Sequence, residues 1–330
     1  DSNGLNYQSR DDTWTVEYST DGLSLAITYM DATQGWVPTI DEAVADVPTK
    51  GNQEGIFGFG YGDSGALGVT NLVSNAGVVS TDVAAVGTAR YGRSATQYGG
   101  DKGIFSFGTS DGATNLVSNA GVVATDVTQV GTARNYLAAC SYGEDKGIFG
   151  FGDGSVVSMT NLVSNAGVVG TDVTGVGTAR SGVAACEFGG DKGIFAFGYT
   201  GSFTGVSNLV SNAGVVATDV SAVGTARSEA AGCGYGYDKG IFGFGSTGSV
   251  CDITNLVSSS GVVASDVTGV GTAHRALAAT QYGGDKGIFG FGSDGSNISI
   301  SNLVSNAGVV ASDTTGVGTV RRYLSACSFN

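Results

Sequence analysis

The chain has 330 residues and a net charge of −14, with 57 Gly, 2 Pro and 41% hydrophobic residues. This composition excludes a collagen-like chain and a Pro-rich disordered chain, and it indicates a globular fold. An acidic chain lacks the clustered Lys and Arg that nucleic-acid binding requires, so we expect no nucleic-acid partner. No run of 18 apolar residues is present, so we expect no membrane span.

The first 54 residues differ from the rest of the chain and are predicted to form a short N-terminal β segment. Apolar and polar side chains alternate over residues 14–19 and again over residues 23–29, with Asp21 and Gly22 between them. This pattern predicts a β-hairpin. A β segment of this size is small for independent stability, so we assign residues 1–54 as a hairpin or connector.

The rest of the chain, residues 55–330, consists of six copies of one repeat with a period of 44–48 residues. Each copy contains Gly-Ile-Phe-x-Phe-Gly, then Asn-Leu-Val-Ser, then Gly-Thr-Ala-Arg or a close variant. The first Gly of each copy is Gly55, Gly103, Gly147, Gly193, Gly240 or Gly287. A period in this range is typical of propeller blades. We predict an all-β fold, a six-bladed β-propeller; a seventh blade built from residues 1–50 is the alternative.

Each repeat contains two predicted hairpins. Small and apolar residues at 136–142 and 148–151 flank a Gly- and Asp-rich turn at 143–147, which predicts strands one and two. Residues 161–164 and 168–173 flank a second turn and predict strands three and four. Together they form a four-stranded blade.

The two ends of the repeat region complement each other. The first copy begins with a second strand, at Ile56, whereas the chain ends with a first strand at residues 323–329. We therefore predict that the C-terminal strand completes the blade begun by residues 55–90 and closes the ring. Closure removes exposed strand edges that otherwise promote aggregation.

Cysteine and histidine occupy repeat positions rather than catalytic motifs. Four cysteines share one position, where other copies have Thr, so we interpret that position as requiring a small packing residue. They are Cys140, Cys186, Cys233 and Cys327. The single histidine, His274, replaces the Arg of its repeat, which indicates packing or hydrogen bonding. A copper oxidase site needs several His ligands, and a Ser-His-Asp site could use only this histidine, so we expect neither site.

We therefore predict no catalytic residues, no metal and no cofactor, and a chain that is not an enzyme. Paired carboxylates for glycoside hydrolysis stay open as an alternative. An Asp on strand four and an Arg eight residues later recur around the repeats, and we interpret both as structural; a calcium or anion site is the sharper alternative.

The repeats differ mainly on one face. The loop between strands two and three changes length, and the residues after each Arg change identity. In an up-and-down blade, the two–three and four–one loops emerge on the same face. Exposed aromatic and charged side chains on such loops are typical of recognition sites, with repeat drift as the alternative. The predicted ligand-binding residues are Tyr61, Tyr91, Arg93, Asn135, Tyr136, Tyr199, Phe203, Arg275, Arg322 and Tyr323.

Residues 177–198, from Gly-Thr-Ala-Arg to Gly-Ile-Phe-Ala-Phe-Gly, resemble the Kelch motif. One Gly replaces the Kelch Gly doublet, and the Kelch Tyr and Trp are absent. More specifically, Asn-Leu-Val-Ser-Asn-Ala-Gly-Val-Val-Ala-Thr-Asp with Asp-Lys-Gly-Ile-Phe-Gly-Phe-Gly resembles repeats of virion structural and tail-fibre proteins of marine bacteriophages, over residues 55–330. Residues 29–39 resemble short segments of phage fibre proteins.

This resemblance implies a virion appendage, a tail fibre or spike, whose propeller binds a host-surface receptor such as a glycan. It also implies contacts with other virion proteins and a homotrimer formed through the N-terminal segment; a simple cap on the propeller is the alternative for that segment. The implied location is the virion, with a secreted or cell-surface location as the alternative. A propeller-fold carbohydrate-active enzyme and a purely structural capsid or tail decoration are the alternative functions.

Overall fold

The computed structural model describes residues 26–33, 35–38, 53–84, 86–109, 113–128 and 130–329. All regular secondary structure in these ranges is β. Within them, no helix is long and apolar enough to cross a membrane. The chain divides into two compact units, residues 1–49 and residues 50–330.

The first unit contains one antiparallel hairpin among its described residues. Strand β1 (Ile27–Asp31) pairs with β2 (Gly35–Pro38). Tyr29 lies opposite Trp36, and their ring centroids are 5.5 Å apart in an edge-to-face arrangement. Residues 14–25, which carry most of the hairpin predicted for this segment, lie outside the described residues.

The described part of the second unit contains six three-stranded antiparallel sheets. The first sheet is β20 (Ser325–Phe329), β3 (Glu54–Gly62) and β4 (Gly65–Val73), and the second is β5 (Ser94–Tyr98), β6 (Lys102–Ser106) and β7 (Asn115–Val117). The third is β8 (Ala138–Tyr142), β9 (Lys146–Gly150) and β10 (Thr160–Val163), and the fourth is β11 (Ala184–Phe188), β12 (Lys192–Tyr199) and β13 (Phe203–Val210). The fifth is β14 (Ala231–Tyr235), β15 (Lys239–Gly243) and β16 (Thr254–Val257), and the sixth is β17 (Ala278–Tyr282), β18 (Lys286–Ser293) and β19 (Asn297–Val304).

The first strand of each sheet is an inner strand, because these six strands contact one another in order. β5 contacts β8, and the contacts continue through β11, β14, β17 and β20; β20 then contacts β5, so the order returns to its start. Their small side chains allow this approach. A Cβ added at Gly103 would lie 2.5 Å from Cys327 Sγ, and one at Gly287 would lie 2.6 Å from Cys233 Sγ.

The cysteine position therefore requires a small side chain that fits against a Gly of the next sheet, which confirms the packing interpretation. All four cysteines at this position are free and buried, and burial raises the pKa of each thiol.

Phenylalanines in the middle strands, or directly after them, fill the spaces between sheets. The Phe151 ring lies 5.2 Å from the Phe195 ring of the next sheet, and a Cβ added at Gly150 would lie 2.8 Å from that same ring. The backbone at Phe151 is left-handed, with φ of 64°. This conformation costs roughly 1–2 kcal/mol for a residue other than Gly. Full burial of the ring offsets that cost.

The prediction of four-stranded blades is corrected, because the fourth segment is not a continuous strand. In the third sheet it forms only two isolated bridges, Val163 with Val169 and Thr160 with Val173. Between them, Asn161 Nδ2 donates to the Gly170 carbonyl at 3.0 Å, so a side chain replaces part of the backbone ladder. Each sheet therefore consists of three strands and a bridged fourth segment.

The C-terminal strand completes the first sheet, as the sequence predicts. β20 pairs antiparallel with β3, and Cys327 lies opposite Ile56. Thr319 and Asp82, 237 residues apart in the chain, are joined by a hydrogen bond from Thr319 Oγ1 to Asp82 Oδ2 at 2.5 Å. The first sheet is thus built from residues near both ends of the second unit.

Candidate ligand-binding site

An Asp of the fourth segment holds the Gly-Thr-Ala-Arg turn of the same sheet. In the third sheet, Thr132 donates to the Asp172 carboxylate from its backbone N at 3.1 Å and from Oγ1 at 2.6 Å, and Asn161 Nδ2 donates to it at 2.9 Å. Burial raises the pKa of Asp172, but these hydrogen bonds outweigh burial and leave the pKa below its ordinary value. The Asp oxygens accept these bonds, so the carboxylate is structural rather than part of a calcium site.

The Arg of this turn is buried between two sheets. Arg134 donates from Nε to the Phe151 carbonyl and from Nη2 to Asn161 Oδ1, both at 2.7 Å. Its guanidinium lies over the Phe107 ring of the preceding sheet, 4.3 Å from the centroid. The same arrangement recurs at Arg180, Arg227 and Arg321. The structural interpretation of the recurring Asp and Arg is confirmed, and these contacts fix the backbone that follows each Arg.

The second residue after each of these Arg or His positions has a left-handed backbone. The φ values lie between 51° and 65°, and the residues are Gly92, Tyr136, Gly182, Glu229, Ala276 and Tyr323. Each backbone N–H donates to the carbonyl of the preceding member of this set, at 2.7–3.0 Å, and Gly92 N donates to Tyr323 O. These six hydrogen bonds form a closed cycle. All six residues line one cavity of about 70 Å³, and we call this end of the inner strands the mouth.

Large and small side chains alternate around this cycle. Gly92, Gly182 and Ala276 leave space into which Tyr136, Glu229 and Tyr323 extend. Tyr323 Oη donates to Glu229 Oε1 at 3.0 Å, and the Tyr136 and Tyr323 ring centroids are 5.0 Å apart. The three large side chains, supplied by three different sheets, are therefore arranged together at the mouth.

Two more tyrosines extend this group. The Tyr91 ring lies 6.4 Å from Tyr323 and 4.9 Å from Tyr61, which belongs to β3. We call Tyr61, Tyr91, Tyr136 and Tyr323 the tyrosine arc. The Arg322 guanidinium lies over two members of the arc, 5.5 Å from the Tyr61 centroid and 5.7 Å from the Tyr323 centroid.

Acidic and basic groups complete the mouth. Arg275 Nη1 lies 3.0 Å from Glu229 Oε2, so Glu229 accepts from both Arg275 and Tyr323. Burial, and then the neighbouring Glu229, raise the pKa of Tyr323 well above its ordinary value. Burial likewise raises the pKa of Tyr136. Both phenols therefore keep their protons at neutral pH and can donate hydrogen bonds.

The structure brings six of the ten predicted ligand-binding residues together at the mouth. They are Tyr61, Tyr91, Tyr136, Arg275, Arg322 and Tyr323. The loops between strands two and three also meet the loops between strands four and one, as predicted. Tyr61 bridges to Arg322, and Ser181 bridges to Tyr199.

The other four predicted residues are placed differently. Tyr199 and Phe203 contact each other, at 5.4 Å, at the hairpin that joins β12 and β13. Asn135 is half-buried, and its backbone bridges to Asp153. Arg93 borders the mouth cavity but is only 4% exposed, because its guanidinium stacks on a buried ring and donates to two backbone carbonyls.

Sequence reasoning did not single out Glu229. Its partners, Tyr323 and Arg275, follow it by 94 and 46 residues, so no local motif joins them. Its place in the repeat could have indicated a functional role, because Glu229 is charged whereas the equivalent positions of the other repeats have Gly, Tyr or Ala.

The interpretation of His274 as a packing residue is confirmed. His274 is fully buried, its Nδ1 lies 2.6 Å from the Thr272 carbonyl, and its ring centroid lies 4.2 Å from that of Phe244. Burial lowers the pKa of this imidazole.

Comparison with known proteins identifies a fold likeness but no family. No protein-family profile matches the chain, and no curated protein matches it. A solved structure of a fungal alcohol oxidase of the AA5 family, in complex with copper, is similar with a TM-score of 0.52 and 13% sequence identity. The match covers 82% of this chain and 65% of the oxidase chain. At this identity the likeness concerns the fold alone.

The prediction that the chain is not an enzyme is corrected by this comparison, because a protein of similar fold is an alcohol oxidase. The copper of that oxidase does not fit the residues found here. The chain has one His, whose Nδ1 faces the Thr272 carbonyl in the interior. The described residues contain no group of three His, Cys, Asp or Glu side chains that could hold a metal ion, whereas copper sites favour imidazole and thiolate ligands.

Proposed function

We propose that residues 55–330 form a six-bladed β-propeller closed by β20. The closed cycle of six backbone hydrogen bonds at the mouth supports this arrangement. The contacts of the inner strands, which return from β20 to β5, support it independently. Each blade would consist of one three-stranded sheet and its bridged fourth segment, with a central channel between the inner strands.

We further propose that the mouth binds a glycan on a host surface. The observation that carries this proposal is the tyrosine arc, four aromatic side chains from three sheets in one continuous series of ring contacts. Sugar rings present apolar faces that stack on aromatic rings, and tyrosines supply contact area with little loss of side-chain entropy. None of the four rings belongs to the buried core between the sheets.

Polar groups at the mouth suit hydroxyl recognition. Glu229 is an acceptor, whereas Arg275 and Arg322 are donors with fixed fork geometry. Because Glu229 already orients Tyr323 and Arg275, a sugar hydroxyl would meet groups that are pre-positioned. Preorganisation of this kind lowers the entropic cost of binding.

We also propose that this binding function belongs to a virion appendage, which the resemblance of the repeats to marine bacteriophage virion and tail-fibre proteins supports. Residues 1–54 would then contact other virion proteins and form a homotrimer. Light scattering of the full chain and of residues 50–330 tests this part: the full chain should be trimeric and the shorter chain monomeric. If both the full chain and residues 50–330 are monomeric, the proposed trimer is wrong, but the proposal of glycan binding is not affected.

Replacing three members of the arc tests the binding site. The change Tyr91→Ala, Tyr136→Ala and Tyr323→Ala should reduce binding to host cells, or to a glycan array, at least about tenfold, because each ring removed takes away a stacking contact of on the order of 1 kcal/mol, by analogy with aromatic pairs. The fold should survive, since Ala276 occupies the position of Tyr136 and Tyr323 in another repeat with the same backbone, φ 55°.

A matched control is Tyr237→Ala. Tyr237 is 50% exposed and lies in the turn between β14 and β15, at the opposite end of an inner strand from the mouth. This variant should bind like the unmodified chain. Loss of binding in the control and retention in the triple variant would mean that the other face recognises the ligand. Turnover of a polysaccharide by the unmodified chain would favour the carbohydrate-active enzyme instead of a binding protein.

A further inference from the structure

Two arginines are buried side by side at the junction of the first and second sheets. Arg90 is 0% exposed and Arg93 is 4% exposed. Arg93 stands where the other repeats have an apolar residue, such as Leu137, Leu277 or Leu324. This junction is therefore the one place among the described sheets where the repeat carries a second buried guanidinium.

Arg93 has taken the stacking position that belongs to Arg90 in the repeat pattern. Its guanidinium lies 4.0 Å above the Phe59 ring, as Arg134 lies over Phe107 in the next repeat. Its Nη2 donates to the carbonyls of Phe105 and Ala113 at 3.0 and 2.9 Å.

Arg90 is left with fewer bonds than its counterparts. Its Nη2 lies 2.7 Å from Asp126 Oδ1 and 3.2 Å from Asn115 Oδ1. In the next repeat, Arg134 also donates from Nε to a Phe carbonyl and from Nη1 to a Thr carbonyl. Four buried nitrogens of the pair have no hydrogen-bond partner among the residues that the structure describes, namely Nε and Nη1 of Arg90 and Nε and Nη1 of Arg93.

The charges at this junction do not balance. Among the described residues, two guanidiniums share one carboxylate, Asp126, which also accepts from Thr88 and Asn115. Burial and the nearby positive charge of Arg90 lower the pKa of Arg93, but a guanidinium keeps its proton in proteins. A buried charge without a counter-charge is costly, and so is each unpaired buried donor.

We propose that Arg90 and Arg93 together bind a small inorganic anion of the halide class, chloride in ordinary buffers. A spherical anion can accept from several N–H groups at once and supplies the missing negative charge. A water molecule would satisfy donors but not the charge. Both side chains are almost fully buried, so we expect a small anion to be preferred over bulky organic anions.

Bromide is the probe, because it scatters X-rays anomalously. Crystals of the full chain grown in sodium bromide should show an anomalous peak within hydrogen-bond distance of both guanidiniums. In solution, the melting temperature in bromide should exceed that in sodium gluconate of equal ionic strength by on the order of 3 °C, and the difference should grow with bromide concentration.

The control is Arg93→Leu, which restores the residue type of three other repeats. This variant should melt at the same temperature in bromide and gluconate and show no anomalous peak. If it does not fold, Arg93→Lys, which keeps the charge but has fewer donors, should weaken the bromide dependence about tenfold. Density for water without an anomalous peak, bromide dependence that persists in Arg93→Leu, or bromide dependence in Arg93→Lys as strong as in the unmodified chain would overturn the anion site.

Discussion

His274 occupies the position at which the other repeats have an arginine that donates hydrogen bonds to a Phe carbonyl or an Asn side chain, and it does not make those bonds. Arg227 donates from Nε to the Phe244 carbonyl and from Nη2 to Asn255 Oδ1, at 2.9 and 2.7 Å. The imidazole of His274 is too short to do both. As a result, His274 Nε2 and Asn302 Oδ1 are both buried with no hydrogen-bond partner in the described part of the chain.

We therefore expect His274→Arg to stabilise the chain. The longer side chain reaches Asn302 Oδ1, and a hydrogen bond from a charged donor contributes about 1–3 kcal/mol, less the cost of burying the charge. A gain of about 1 kcal/mol in the free energy of unfolding, measured in urea, is the expected result. The reciprocal change Arg227→His should lower it. A destabilised His274→Arg variant would show that the sixth sheet has no room for the guanidinium.

At the scale of the element, the sequence predicts three strands of each repeat and overestimates the fourth. Runs of apolar residues around Gly-rich turns are local signals, and β8 and β9 lie where they predict. The fourth segment has the same apolar character, yet Asn161 pairs with Gly170 through its side chain. The spacing of apolar residues in the sequence does not reveal where a side chain takes the place of a backbone hydrogen bond between strands. The interior position of Arg93 is hidden for a similar reason, because the Phe59 ring that receives it comes from another sheet.

The six carboxylates of the fourth segments should make the fold acid-sensitive. They are Asp82, Asp126, Asp172, Asp219, Asp266 and Asp313, and hydrogen bonds that outweigh burial hold the pKa of each below the ordinary value of 3.8. A lowered pKa in the folded state contributes stability that is present above the unfolded pKa and is lost as pH falls through the folded pKa. We expect the melting temperature to be level above about pH 5 and to fall below about pH 4.

Asp172→Asn separates this effect from general acid destabilisation. The amide keeps one acceptor oxygen and replaces the other with an NH2 donor that cannot accept from Thr132 or Asn161. The variant should therefore be less stable at neutral pH, and its melting temperature should fall less steeply below pH 4 than that of the unmodified chain. Circular dichroism melts at several pH values measure both quantities. Equal slopes in the two proteins would mean that Asp172 does not contribute to the acid transition.

At the scale of the whole molecule, the most distant contacts in sequence are those that complete the first sheet. β20 pairs with β3 across more than 260 residues, and the Arg321 Nε bond to the Phe59 carbonyl, at 2.8 Å, spans 262 residues. The sequence predicts this pairing because the first repeat lacks a first strand, whereas the C-terminal end has a first strand without a second one. It does not predict the mouth in detail, since Glu229 meets Tyr323 and Arg275 from different sheets, across 94 and 46 residues of chain.

Deleting residues 322–330 therefore removes the inner strand of the first sheet and breaks the hydrogen-bond cycle at Tyr323. Phe329 is fully buried, and loss of a buried Phe side chain alone costs about 3–5 kcal/mol. For a domain of this size the melting temperature should fall by roughly 10 °C or more. Deletion of residues 1–49, a separate compact unit, is the control and should change the melting temperature of the remaining chain far less. An unchanged melting curve after the C-terminal deletion would contradict closure by β20, because a ring held by that strand cannot lose it without losing stability.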